Sequence, residues 1–378
     1  MKKILFVLPY YKIGGTLTSF SNLIPLIDKS KYEISAFALT NEVDDLSILP
    51  KDVNYLGLKT SNKSNSRKGL KNRIVTLLKQ GKRLFASFGY DPSELVFKKM
   101  AKSLSGKYDV IIAFQEGQTT RMVQHISAPM KIAWVHSIFS RFITMGNVYV
   151  ADSYEQYDKI VCVSYTAAKD MIECKPQWKN KIQVVYNAVN PQLINDKAKS
   201  EKKFEKKNNL VSVGRITPVK RFSYIPAIAN QLKSLGYQFD WRIIGGVADS
   251  EEYTKLLDNI EKYNVSDCVH LLGSISNPYP YIKLSDMLVC LSSSETFNYT
   301  IAEAKVLGTP VVSTDFSSVF EFLENEKSGL IMPIKKIVEG VHRLLSDNKL
   351  HSSIKQYLTY NMNYSTIVKE QFEQLIEE

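Results

Sequence analysis

Residues 287–313, MLVCLSSSETFNYTIAEAKVLGTPVVS, decide how the chain folds. Met287–Leu291 is an apolar run too short for a helix and closed by a serine cluster, as a buried strand is. Asn298 has N-cap chemistry, and a helix follows from about Tyr299 to Leu307. Pro310–Ser313 is a second buried strand. A strand, a helix and a strand in so short a space form a crossover unit, which makes the two strands parallel.

The same alternation extends in both directions. Ile4–Leu8, Ile34–Ala38, Val110–Phe114, Ile132–Val135, Lys159–Val163 and Ile182–Tyr186 form one set of strands. Asn209–Val213, Asp240–Ile244 and Val269–Leu272 join the opening pair in a second set, with amphipathic segments such as Phe222–Leu235 and Ser250–Tyr263 between strands. The expected fold class is α/β, with two Rossmann-like doubly wound domains. The boundary falls near 187–208, where NAVNPQLINDKAKSEKKFEKKNN is charged and low in apolar content. The expected domains are 1–187, 188–356, and a tail helix over 357–378 that crosses back to the first domain. The length of 378 residues accommodates two such domains, and 44% hydrophobic content excludes a wholly disordered chain. The net charge of +11 is uneven: +13 over residues 1–200 and −2 over 201–378. Cys162, Cys174, Cys268 and Cys290 form no C-x-x-C pair, so neither a zinc site nor a disulfide framework is indicated, and a reducing compartment fits. The opening MKKILFVLPYYKIGG imitates a signal peptide, but Pro9 ends its apolar run and no small-residue cleavage site follows, so it reads as a first strand.

Three places can hold a phosphorylated ligand. The turn Ile13-Gly14-Gly15-Thr16 follows the first strand and leads into a helix, where backbone N–H groups favour anions. Alone it reads equally as a tight strand-to-helix turn, and it is neither G-x-G-x-x-G nor a P-loop. Gly214-Arg215-Ile216-Thr217-Pro218-Val219-Lys220 follows the first strand of the second set. Arg215 as a fork and Lys220 as a point charge can converge on a diphosphate, although basic loop residues are more often simply solvated. The third place is the loop and helix start after Leu291. There the amides of Asn298, Tyr299 and Thr300 can face an anion, and Glu295 and Glu303 lie on either side of the helix start as acceptors for sugar and ribose hydroxyls. Taken singly, each carboxylate also reads as a cap or a solvated residue.

G-R-x4-K after a strand, followed by S-E-x7-E-A-x3-G-x-P-V-V, resembles the retaining glycosyltransferases of family 4. The resemblance covers most of the chain and implies the GT-B fold, in which two Rossmann-like domains face each other across a cleft. Gly14-Gly15 matches the family's first glycine loop, Asn187–Asn190 its linker, Gly245-Gly246 its G-x-G turn, and Glu321 with Gly329-Leu330 its closing element. Leu272-Gly273 with Asn277-Pro278 resembles the segment beside the base. Carried over residue by residue, Arg215 and Lys220 hold the donor diphosphate and Glu303 the ribose. Glu295 lies by the donor sugar, and His136 in AWVHS is near the transferred sugar. Gly14, Gly15, Gly273, Phe297, Asn298, Tyr299 and Thr300 complete the donor site. Where the family has E-G-F-G this chain has Glu295-Thr296-Phe297-Asn298, which puts the donor sugar in doubt.

The resemblance implies retention of configuration by same-face displacement, with a nucleotide diphosphate sugar as donor, UDP being the expected nucleotide. The acceptor is a glycan or lipid-linked molecule in surface polysaccharide or glycoconjugate synthesis. No D-x-D occurs, so basic side chains take the place of a metal, and neither metal nor cofactor is expected. A two-carboxylate hydrolase would not need the basic clamp. Residues 56–90 hold nine Lys/Arg and no acid, and 67–87 reads as a helix with apolar Leu70, Ile74, Leu77, Leu78, Leu84 and Phe85 among cations. That composition suits contact with an anionic membrane, hence a cytoplasmic place on the inner face of the cell membrane. It equally describes a domain helix packed on its sheet. No nucleic-acid motif is present. A non-catalytic GT-B partner subunit and an epimerase or phosphorylase on the same fold are the competing readings.

Overall fold

The computed structural model describes residues 1–12, 14–40, 43, 49–57, 93–200, 204, 208–360 and 364–377. The basic segment 67–87 lies outside the described residues. Two compact units are formed. The first comprises Met1–Val163, Asp170–Val185 and Gln371–Glu378; the second comprises Ser164–Lys169 and Tyr186–Glu370.

Among the described residues the first unit holds a seven-stranded parallel sheet in the order β3-β2-β1-β4-β5-β6-β7. The strands are β1 (Lys2–Leu8), β2 (Tyr32–Ala38), β3 (Asn54–Leu56), β4 (Val110–Ala113), β5 (Met130–Val135), β6 (Lys159–Cys162) and β7 (Ile182–Val184). The second unit holds a six-stranded parallel sheet in the order β10-β9-β8-β11-β12-β13. Its strands are β8 (Asn209–Val213), β9 (Asp240–Ile244), β10 (Val269–Gly273), β11 (Met287–Cys290), β12 (Val311–Thr314) and β13 (Gly329–Met332).

Central strands covered on both faces cannot alternate apolar with polar residues. Accordingly, Ile4, Leu5, Phe6, Val7 and Leu8 are all fully buried in β1, and Trp134 and Trp241 fill the two cores. In each sheet the first strand lies in the middle and chain order reverses beside it, between β1 and β4 and between β8 and β11. Loops leaving the carboxyl ends of such neighbours part in opposite directions and open a crevice.

Two strands escape the apolar-run reading. β3 has three residues at a sheet edge, and β13 is a four-residue edge strand. Gly329 in β13 is imposed by packing, because a Cβ there would stand 2.5 Å from the Val311 carbonyl oxygen. The polar stretch after Asn187 is not wholly a linker. Asn190 accepts a hydrogen bond from Leu193 N at 3.0 Å and Pro191 opens the helix Pro191–Lys197, with Ile194 buried. The tail consists of two helices, Asn348–Tyr360 and Tyr364–Glu377. From Gln371 onward it belongs to the first unit, where Phe372 packs on Phe6, Tyr32 and Trp134. Lys2 Nζ and Lys159 Nζ donate to the carbonyls of Ile376 and Leu375. Among the described residues no helix is long and apolar enough to cross a membrane.

Candidate active site

In the second unit the site grows from the ends of β8 and β11. Gly245 has φ 156° and a Cβ on it would stand 1.8 Å from the Gly214 carbonyl oxygen, so these two backbones approach as closely as glycine alone permits. Gly214 serves a different purpose. A Cβ there would meet Lys220 Cε at 3.1 Å, so its missing side chain makes room for the lysine stem. The glycine and lysine of G-R-x4-K are thus two halves of one packing arrangement.

The stem delivers Lys220 Nζ to Glu295 Oε1 at 2.6 Å, with side-chain exposures of 20% and 16%. Burial works against the lysine's charge, but Glu295 and Cys290 together more than offset it and the Lys220 pKa lies above the ordinary value. Arg215 is exposed, near enough that its charge opposes that of Lys220. The Glu295 loop is tied down from two sides: Ser293 N donates to Val219 O at 2.8 Å, and Ser318 Oγ donates to the Glu295 carbonyl at 2.7 Å.

Asn298 caps the helix Tyr299–Val306. Its side chain accepts from Ile301 N at 3.1 Å and its amide group points at Cys290 Sγ, 3.2 Å away. The side chain is buried and structural, so a donor can be met there only by backbone. The same holds for Phe297, which is 6% exposed and packs edge-on against Tyr299 at 4.9 Å and Phe322 at 4.8 Å. Thr300 Oγ1 donates to Val213 O at 3.3 Å and ties the helix to the end of β8. One turn further on, Glu303 accepts from Tyr279 OH at 3.1 Å. Burial pushes Glu303 up to about 7, against the pull of Tyr279 and the Lys220 charge. Gly273 is exposed with φ 68°, and its carbonyl accepts from Gly245 N at 2.8 Å.

The remaining expected residues belong to the first unit. Gly14 and Gly15 open the helix Gly15–Leu23, and among the described residues nothing beyond their chain neighbours and own helix backbone lies within 4 Å of a Cβ built on either. Thr16 Oγ1 donates across the β1/β4 crevice to Gln115 Oε1 at 3.0 Å. His136 ends β5. Its N–H donates to Glu116 Oε2 at 2.9 Å, and its ring meets Phe114 edge-on at 5.1 Å. Burial lowers its pKa to about 4, against a hydrogen bond to the Phe114 backbone, so the imidazole is neutral at pH 7.

Sequence reasoning missed Tyr279, Glu116 and Cys290. Tyr279 follows the Asn277-Pro278 pair already singled out, and Glu116 lies just past a strand end. Both positions were signals. Among the described residues no group of three His, Cys, Asp or Glu side chains is arranged to hold a metal ion.

The segment 194–359, which contains Arg215, Lys220, Glu295 and Glu303, matches the family described as glycosyl transferases group 1. Over this segment the chain is similar to the group 1 glycosyltransferases. A Campylobacter jejuni N-acetylgalactosamine-N,N'-diacetylbacillosaminyl-diphospho-undecaprenol 4-alpha-N-acetylgalactosaminyltransferase is 23% identical over 347 residues, 90% of each chain. The N-acetyl-alpha-D-glucosaminyl L-malate synthase of Bacillus anthracis is 23% identical over 208 residues, 53% of each chain. Among solved structures, Anabaena HepE in complex with UDP-glucose superposes with a TM-score of 0.70 at 15% identity, covering 100% of both chains. S. aureus TarM gives 0.72 at 12% identity, covering 100% of this chain and 99% of that one. The fold is GT-B, with two Rossmann-like units.

Proposed function

We propose that this protein is a glycosyltransferase that takes a sugar from a UDP-sugar, with retention of configuration, and transfers it to a glycan or lipid-linked acceptor in surface polysaccharide or glycoconjugate synthesis. The observation that carries the reading is the Lys220–Glu295 pair at 2.6 Å, with Glu303 one turn inside the helix Tyr299–Val306 and near enough to feel the Lys220 charge. An ammonium, a guanidinium and a helix start can serve a diphosphate, and the two carboxylates can accept from hydroxyls, which supports the reading. The UDP-glucose complex of HepE supports UDP, and the undecaprenol-linked substrate in the name of the Campylobacter relative supports a lipid-linked acceptor.

In this reading the glycosidic bond breaks as negative charge gathers on the leaving diphosphate. Arg215, Lys220 and the amides at the start of the helix Tyr299–Val306 stabilise that charge in fixed positions. The departing phosphate accepts the acceptor's proton on the face from which it leaves. Glu303 accepts from the ribose hydroxyls. Cationic side chains do the work of a divalent metal, so turnover proceeds without one.

The test is a thermal-shift screen of UDP-, GDP- and dTDP-sugars, followed by measurement of nucleoside diphosphate release with and without lipid-linked and glycan acceptors. A donor that stabilises the protein, with release that requires acceptor, supports transfer. Stabilisation without release under any acceptor supports the partner-subunit reading instead.

A further inference from the structure

The chain supplies Lys220 with an anion of its own. Glu295 is ion-paired to it, whereas Glu303 is engaged by the Tyr279 hydroxyl. Lys220 is fixed in place, its stem fitted against Gly214 and its turn closed by Lys220 N donating to Thr217 O at 2.9 Å. The Glu295 backbone is fixed too, through Ser318. Any exchange of partners at this point is therefore a rotation of the Glu295 side chain, with both loops standing still.

We infer that Glu295 is a specificity-determining residue that makes the site favour the sugar-bearing donor over its sugar-free nucleoside diphosphate product. This rests on the reading that Lys220 takes the diphosphate. A diphosphate on Lys220 displaces Glu295 and leaves a carboxylate beside phosphate oxygens, where like charges repel. A donor relieves this, because its sugar hydroxyls donate to the displaced carboxylate. The free diphosphate has no sugar to offer, so Glu295 competes with it for Lys220 and returns to the lysine as the product leaves. The carboxylate thus holds the donor and hastens release of the product.

The discriminating experiment is titration calorimetry of wild type, Glu295→Gln and Glu295→Ala with UDP, GDP and dTDP and with their hexose conjugates, thermal midpoints being recorded alongside. For the nucleotide that wild type binds, both variants bind the free diphosphate at least tenfold more tightly. The sugar conjugate gains less or weakens, so the ratio of the two dissociation constants contracts. Gln retains the shape of Glu and Ala removes it, so agreement between them assigns the effect to charge. Free-diphosphate affinity that is unchanged or weaker in both variants overturns the inference while leaving the proposed donor site standing. Wild type that binds none of the diphosphates or conjugates removes the donor site itself, and the inference with it.

Discussion

Replacing Lys220 by Met separates what this residue does for stability from what it does for turnover. Methionine retains an unbranched stem against Gly214, where a Cβ would have stood 3.1 Å from Lys220 Cε, so packing is largely preserved and the charge alone is removed. Glu295 is left without its ammonium partner. Leaving one member of a fully buried pair uncompensated costs about 3–5 kcal/mol. Exposures of 20% and 16% let water reach this pair, which lowers the expectation to about 2 kcal/mol. For a domain of this size that corresponds to a fall of about 4–8 °C in thermal midpoint. Turnover responds differently. An ammonium about 4 Å from a phosphate oxygen at an effective dielectric of about 20 contributes about 4 kcal/mol, which as a transition-state term is about a thousandfold in rate. The double variant K220M/E295Q removes the unpaired carboxylate. It should regain most of the lost midpoint and none of the lost turnover, read by differential scanning calorimetry and by nucleoside diphosphate release. Recovery of turnover together with stability would refute the assignment of Lys220 to the diphosphate.

Other outcomes follow from the same geometry. The Glu303 pKa of about 7 lies above the ordinary carboxylate value, so the native state holds a proton that the unfolded chain has lost. Stability should therefore fall as pH rises from about 4.5 through about 7, and Glu303→Gln should flatten that part of the profile in chemical denaturation. In the same window donor affinity should rise with pH, as Glu303 becomes the stronger acceptor, and E303Q should abolish the rise in calorimetric titrations. Gly245→Ala drives a methyl group into the Gly214 carbonyl, 1.8 Å away in the native geometry, and should cost about 3 kcal/mol or more, seen as a lowered denaturation midpoint. Glu321→Ala removes the carboxylate that accepts from Tyr165 N and Thr166 N, both at 2.8 Å. It should cost about 1–2 kcal/mol by the same measurement. Turnover should be unchanged after dialysis against EDTA, assayed as nucleoside diphosphate release.

The two sheets were legible because their central strands are short, unbroken apolar runs, a pattern that only strands covered on both faces maintain. β3 and β13 were not, since three or four residues at a sheet edge carry too little pattern. The helix Pro191–Lys197 was obscured by the charged run around it, although Asn190 before Pro191 is a local start signal. The candidate-site motifs stood out because each is a single strand-end loop whose residues are close in sequence. Their pairing did not. Lys220 and Glu295 are 75 residues apart, and nothing in that interval says which of two carboxylates the lysine takes. Nor does spacing reveal that burial pushes Glu303 up while Tyr279 holds it. The capping role of Asn298 was legible from its place before the helix, whereas the packing of Phe297 depends on Phe322, a neighbour that only the folded chain assembles.

The placement of Phe372 against Phe6 and Trp134 bears on how the polypeptide is made. Lys2 and its partner Ile376 are separated by 374 positions. At ordinary elongation speeds of about 5–20 residues per second, a ribosome needs roughly 20–75 s to cover that interval. Throughout that time the earliest-made strands lack the aromatic ring that seals them, so the half of the molecule that emerges first is the half that must wait for Phe372 to be made.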